Sequence, residues 1–261
     1  MKRNHSEGFA MNISGNTILI TGGGSGIGRA LAEALHARGN QIIIAGRREG
    51  VLDEVTAANP GMASMLLDIQ DKADIEAFAR QVVERFPKLN AVLNNAGIMK
   101  PENVPAADNL AIAEETIATN LLGPIRLTIA LLPHLLKQPR ATILTVSSGL
   151  AFVPLAVTPT YSATKAAIHS WSIGLREQLK HTSVEVIEIA PPYVQTELMG
   201  AQQAVDPAAM PLADFTSEVM TILETQPEAG EVIVERCKPL RYAEATGSFA
   251  QVFAGLNAQH G

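Results

Sequence analysis

Apolar residues along this 261-residue chain fall into short unbroken runs, separated by stretches with a helical repeat. TILIT (17–21), QIIIAG (41–46), SMLLDI (64–69), AVLNNAG (91–97), ATILTVSS (141–148), VEVIEIAP (184–191) and EVIVER (231–236) are read as strands. Most are continuous rather than alternating, as in strands covered on both faces of a parallel sheet. Between them, 28–39, 74–86, 114–136 and 162–179 repeat their apolar positions every three to four residues, as one-sided helices do. Strand and helix in alternation predict an α/β fold with a doubly wound parallel sheet. No repeat, low-complexity tract or linker splits the chain. Residues 13–261 therefore read as a single domain with a C-terminal tail, and 1–12 as a disordered N-terminal extension. The loosest stretch, 200–214, reads as a mobile lid.

Composition narrows the class. At 47% hydrophobic and 18% charged, the chain has an ordinary globular balance. Its net charge of −6 and lack of a basic stripe argue against a nucleic-acid partner. The greasiest piece, 128–136, is interrupted by Pro133 and is shorter than the roughly 18 residues of a membrane span. Residues 1–12 carry basic residues but no apolar stretch, so no secretory signal is expected. Cys237 is the sole cysteine, which rules out an intrachain disulfide and fits a reducing, cytoplasmic setting. The six histidines are scattered, with no metal-binding spacing, and no nucleophile-elbow motif is present.

A glycine loop sits directly between the first strand and the first helix. In TGGGSGIG (21–28), Gly22, Gly26 and Gly28 permit a tight turn and a close backbone approach. The helix start then offers free N–H groups to a pyrophosphate. An NAD site usually places an acid about 20 residues further on, against the ribose hydroxyls. Here Gly46 is followed by Arg47 and Arg48. A guanidinium grips a 2′-phosphate that a carboxylate would repel, so NADP is expected rather than NAD. Asp68 either accepts from the adenine amino group or caps the helix that follows.

One further stretch raises a chemical question. YSATK places Tyr161 and Lys165 four residues apart, on one helix face.

TGGGSGIG, NNAG (94–97), SS (147–148) and YSATK (161–165), in that order, resemble the short-chain dehydrogenase/reductase family over roughly residues 13–236. The resemblance implies a single Rossmann-type domain with a seven-stranded parallel sheet. It also implies hydride transfer between a nicotinamide and a carbonyl or secondary alcohol, and a homodimer or homotetramer built through helices near 108–136 and 160–180. Tyr161, Lys165, Ser148 and Asn120 match the family's catalytic residues, with Ser147 as the fallback serine. The cofactor set becomes Gly22, Ser25, Gly26, Ile27, Gly28, Arg47, Arg48, Asp68, Ile69, Asn94, Ala96, Gly97, Tyr161, Lys165, Pro191, Val194 and Thr196. The chain departs from the family at Pro191-Pro192, where Pro-Gly is common; the second proline removes an N–H and stiffens the loop.

With these roles, Lys165 is expected to pull the Tyr161 phenol toward working pH. Ser148 is expected either to orient a substrate oxygen or only to cap its strand. Pro124 has no N–H for the carbonyl of Asn120, which leaves either a water relay from Lys165 or a helix kinked for packing. Leu150, Phe152, Val153, Pro192, Tyr193 and Leu198 are the candidate substrate contacts; mostly apolar, they favour a neutral, hydrophobic ketone or alcohol. The main alternative is an NADP-sensing binding protein on the same fold. Epimerases and dehydratases on this scaffold usually need a longer chain.

Overall fold

The structure, a computed structural model, describes residues 12–106 and 110–260. Of the expected N-terminal extension, all but Asn12 lies outside the described residues, as do positions 108 and 109 of the expected subunit contact. The elements in chain order are β1 (Thr17–Thr21), α1 (Gly26–His36), β2 (Gln41–Gly46), α2 (Glu49–Ala58), β3 (Ala63–Leu66), α3 (Lys72–Arg85), β4 (Leu89–Asn94), α4 (Leu110–Ile117), α5 (Gly123–Leu135), β5 (Ala141–Val146), α6 (Pro159–Leu179), β6 (Val184–Ala190), α7 (Ala201–Val205), α8 (Leu212–Thr225), β7 (Glu231–Ile233), α9 (Lys238–Arg241) and α10 (Phe249–His260).

The seven strands form one parallel sheet in the order β3-β2-β1-β4-β5-β6-β7. The continuous apolar runs are its buried centre: Ile18, Leu19, Ile20, Ile42, Ile43 and Ile44 are all inaccessible to solvent. Successive strand side chains point to opposite faces, so these runs feed two cores. One core joins Ile18, Ile20, Ile42 and Ile44 to Leu31 and Leu35 of α1 and Phe215 and Val219 of α8. The other joins Leu19 and Ile43 to Ile75 and Phe78 of α3 and Leu127 and Leu131 of α5. Asp71 caps α3 by accepting from the N–H groups of Ala73 (2.7 Å) and Asp74 (3.1 Å), an arrangement worth about 1 kcal/mol.

The chain leaves β1 toward β2 on one side of the sheet and later returns to β4 on the other. The carboxyl ends of β1 and β4 therefore splay into a crevice, where ligands bind in open α/β sheets.

Several elements differ from the sequence-based expectation. Residues 110–135 form one continuous helix of 26 residues, long and apolar enough by length and composition to cross a membrane. Its Leu127, Leu131 and Leu135 are instead core residues beneath the sheet. Between α4 and α5 it widens to a π-helical turn, Ala118–Leu122, in which the Gly123 N–H reaches the Ala118 carbonyl. This is how the helix accommodates Pro124. At Gly123 a Cβ would meet Ile69 O and Cγ1 at 2.6 Å, so the kink also seats the helix against the end of the third strand's loop. The expected lid at 200–214 contains α7 and the beginning of α8, and its Met210 bridges to Val194.

Candidate active site

A cavity of about 710 Å³ opens at the carboxyl ends of the strands and takes in both ends of the expected site. At one end stand the glycine loop, Arg47 and Arg48. At the other stand Ser148, Tyr161 and Lys165.

The loop is held by hydrogen bonds with the residues that follow β4. Asn95 Nδ2 donates to the carbonyls of Thr21 (3.0 Å) and Gly22 (3.4 Å), while Thr21 Oγ1 accepts from the N–H groups of Asn95 and Ala96 at 3.1 Å. Gly22 and Gly26 take positive φ, 67° and 52°. At Gly28 a Cβ would lie 2.3 Å from Gly22 O and 2.4 Å from Asn95 Nδ2, so only glycine fits there. The result is a concave stretch of main chain at the start of α1, suited to an anionic group such as a pyrophosphate. Arg48 Nη2 donates to Ser25 Oγ (3.2 Å), tying the start of α2 to the same loop.

Most of the expected cofactor residues line this cavity: Gly22, Ser25, Gly26, Ile27, Arg47, Arg48, Ile69, Ala96, Gly97, Tyr161, Lys165, Pro191, Val194 and Thr196. Gly28 acts one layer behind, through the fit just described. Asp68 is not in the lining; its Oδ1 accepts from the Gln70 N–H (3.0 Å) in the turn before α3, whose cap is Asp71, while Leu67 and Ile69 on either side face the cavity. Asn94 points the other way, its Nδ2 donating to Thr128 Oγ1 (3.0 Å) in the core. Asn95 is the residue of the pair that serves the loop. Strand alternation could have distinguished the two asparagines, since neighbours point to opposite faces.

At the other end, Tyr161 and Lys165 come from α6, and the ammonium lies 5.5 Å from the phenol ring's centroid. Both are more than nine-tenths buried. Lys165 Nζ donates to Val146 O (2.8 Å) at the end of β5. Two residues further on, Ser148 Oγ accepts from the Leu150 N–H (3.1 Å), so the serine caps its turn while facing the phenol. Ser147, the fallback, is also in the cavity wall, with its hydroxyl buried and unpaired.

The expected electrostatics need correction. Burial pushes the Tyr161 phenol up to about 12; hydrogen bonding with Ser148 opposes that rise, and no lowering from Lys165 is resolved. Burial also pushes the Lys165 ammonium down to about 8, against the pull of the Glu188 carboxylate. Desolvation thus outweighs the attraction between the two groups. The phenol therefore stays protonated near neutrality, the form from which it can give up a proton.

Asn120 reaches the site through the main chain. Its Oδ1 accepts from the Ile98 N–H and its Nδ2 donates to the Ile98 carbonyl, both at 2.9 Å. It thereby fixes Gly97, whose absent Cβ would stand 3.4 Å from Asn120 Oδ1 and 3.8 Å from Lys165 Nζ.

Of the six expected substrate contacts, Leu150, Pro192, Tyr193 and Leu198 line the cavity. Val153 is fully buried, and Phe152 packs edge-on to His169 with Arg241 above its ring. Sequence reading missed Leu240 and Leu256, which the tail brings to the cavity, along with Met99, Leu155, Val157 and Met199. Only the three-dimensional path of the tail reveals them.

The comparisons with known proteins agree with this geometry. The short chain dehydrogenase family model matches residues 16–206. The "Uncharacterized oxidoreductase DltE" of Bacillus subtilis is 41% identical over 253 residues, covering 95% of this chain and 99% of the relative. Among solved structures, a short chain dehydrogenase from Burkholderia cenocepacia in complex with NADP matches with a TM-score of 0.79 and 25% identity, covering 94% of this chain and 99% of that one. Another, from Burkholderia phymatum in complex with NAD, matches with a TM-score of 0.77 and 22% identity, covering 90% and 92%.

Proposed function

The chain belongs to the short-chain dehydrogenase family of oxidoreductases, and from that premise we propose that it is an NADP-dependent carbonyl reductase or alcohol dehydrogenase acting on a neutral, apolar ketone or secondary alcohol. The observation that carries this reading is the convergence of Ser148, Tyr161 and Lys165 in the same cavity as the glycine loop and the arginine pair. Arg47 and Arg48 offer two cations where a 2′-phosphate would sit, and the Burkholderia cenocepacia relative is a complex with NADP.

When bound, a nicotinamide dinucleotide supplies or accepts the hydride. The protein's own groups handle the oxygen. Tyr161 donates a proton to the carbonyl oxygen as negative charge builds on it, and a nascent alkoxide is basic enough to take that proton from a phenol near 12. Ser148 supplies a second donor to the same oxygen. The Lys165 ammonium steadies the phenolate left behind, and Asn120 holds the Ile98–Gly97 main chain against it. Leu150, Leu198, Leu240 and Leu256 provide an apolar wall for the substrate body.

Exposed apolar side chains at Ile117, Leu122 and Ile129 on the long helix and at Ile173 on α6 support a homodimer or homotetramer formed through these helices. The test of function is loss of NADPH absorbance against a panel of ketones. Turnover with NADPH, abolished by Tyr161→Phe, supports the reading. Binding of NADPH without turnover on any ketone supports the alternative, an NADP-sensing protein.

A further inference from the structure

The face of α6 that meets the sheet is polar along much of its length. Lys165 Nζ donates to Val146 O. One turn on, His169 Nδ1 lies 2.8 and 3.1 Å from the two carboxylate oxygens of Glu188. Ser172 Oγ is 2.8 Å from Thr145 Oγ1, and Arg176 Nε donates to Val186 O at 3.0 Å. Intervals of three and four residues put all these groups on one stripe. The catalytic helix is thus held on the sheet by polar contacts as well as by packing.

Glu188 is the unusual member of this set. It is fully buried in the middle of β6, in register with Thr145 on one side and Glu231 on the other. A buried carboxylate costs several kcal/mol unless opposing charge and donors compensate it. A carboxylate has no proton to give, so His169 Nδ1 carries one and donates it. That ring nitrogen offers a single N–H, fewer donors than the two oxygens can accept. The nearby Glu231 is already held at 2.9 and 3.1 Å by Arg241, which also lies over the Phe152 ring. Cys237, close by, is buried as a neutral thiol pushed up to about 12. Lys165 shares this cluster: it stands one turn before His169, and its acceptor Val146 follows Thr145, the register partner of Glu188, so the ammonium feels the Glu188 charge while Arg241 is committed to Glu231.

Resting on the reading of Tyr161 and Lys165 as the proton-handling pair, we propose that Glu188, clamped by His169, is the buried counter-charge of Lys165 and a positioning residue for the reaction. Neither Glu188 nor His169 lines the cavity, so both act through the lysine. Burial favours loss of the Lys165 proton, and Glu188 opposes it, keeping the ammonium charged beside Tyr161 at neutral pH.

The test reads Lys165 directly. In full-length protein labelled with ¹³C at the lysine ε-carbons, the Lys165 resonance is identified by its loss in Lys165→Arg and followed against pH. In Glu188→Gln the midpoint should fall by about one pH unit, with Glu188→Asp restoring part of the shift. His169→Leu removes the clamp that holds the carboxylate in place beside Lys165, so the midpoint should move the same way. This second variant decides the matter if Glu188→Gln fails to fold. An unmoved midpoint in whichever folded variant is examined overturns the proposal; a purely structural pair would lower the melting temperature and leave Lys165 alone. The readout needs no turnover, so it holds even if the protein reduces no ketone, in which case the functional reading fails and the counter-charge stands.

Discussion

The Lys165 ammonium stands 5.5 Å from the centroid of the Tyr161 ring, but its hydrogen bond goes to the Val146 carbonyl. The lysine's position is therefore fixed by the sheet rather than by a bond to the phenol. Replacing Tyr161 by Phe keeps the ring and its packing and removes the hydroxyl that carries the proton. We expect kcat for ketone reduction to fall by about 10²- to 10⁴-fold, with NADPH affinity within about twofold of wild type by fluorescence titration. Full turnover by the variant would refute the assignment of the acid.

The pH dependence follows from the two buried groups. Lys165 is held down to about 8 from 10.5, so between those values the unfolded chain binds more protons than the folded one. Stability from this group rises as pH climbs from about 8 to 10.5, with a limiting slope of about 1.4 kcal/mol per pH unit. Tyr161 is pushed up to about 12 from 10, so over that window the folded chain binds more protons and stability falls. Urea melts from pH 7 to 11 should show the rise in wild type and lose it in Lys165→Met. The reductive kcat/KM should decline as pH rises through about 8, where the ammonium discharges.

Cofactor choice should turn on Arg47. Exchanging it for Asp places a carboxylate where the 2′-phosphate is expected. The ratio of kcat/KM for NADPH over NADH should drop at least about tenfold, since a charge-assisted bidentate contact becomes a repulsion. Equal ratios before and after the change would rule out Arg47 as the discriminating cation.

Gly28→Ala tests the loop. The added methyl group meets Gly22 O at 2.3 Å and Asn95 Nδ2 at 2.4 Å, and the carbonyl is main chain that cannot turn aside. Overpacking of this kind costs about 1–3 kcal/mol, readable as a shift in the urea midpoint. Dinucleotide affinity should fall with it. A variant that binds and melts like wild type would show that the loop is looser than the contacts imply.

The tail should tune the substrate. Leu256→Asp places a charge on the apolar wall and is expected to raise KM for a hydrophobic ketone by about tenfold or more, while NADPH binding stays unchanged. A KM that does not respond would remove α10 from the substrate site.

Much of the sheet was readable in advance because its strands are buried on both faces and announce themselves as solid apolar runs; β1 and β2 fall at the expected residues. The glycine loop, the arginine pair and the Tyr161–Lys165 spacing are local in sequence, so pattern alone found them. What escaped depends on distant contacts or broken periodicity. The π-helical turn at Ala118–Leu122 has no simple repeat. On α6, Lys165, His169, Ser172 and Arg176 occupy the inward face where apolar residues are the rule, so the stripe that fixes this helix looks like surface. Asp68 and Asn94 were expected at the cofactor and are instead turned to local and core partners, a question of side-chain direction that composition does not answer.

The C-terminal helix α10 is fastened to the loop beyond Ser148 by one residue: Asn257 accepts from the Ala156 N–H at 2.6 Å and donates to the Pro154 carbonyl at 3.2 Å. The proposed reacting groups stand just beyond β5 and on α6, whereas Leu256 reaches the cavity from this separately moored helix. On the proposed reading, editing the tail would change which guests fit the cavity while Ser148, Tyr161 and Lys165 keep their places.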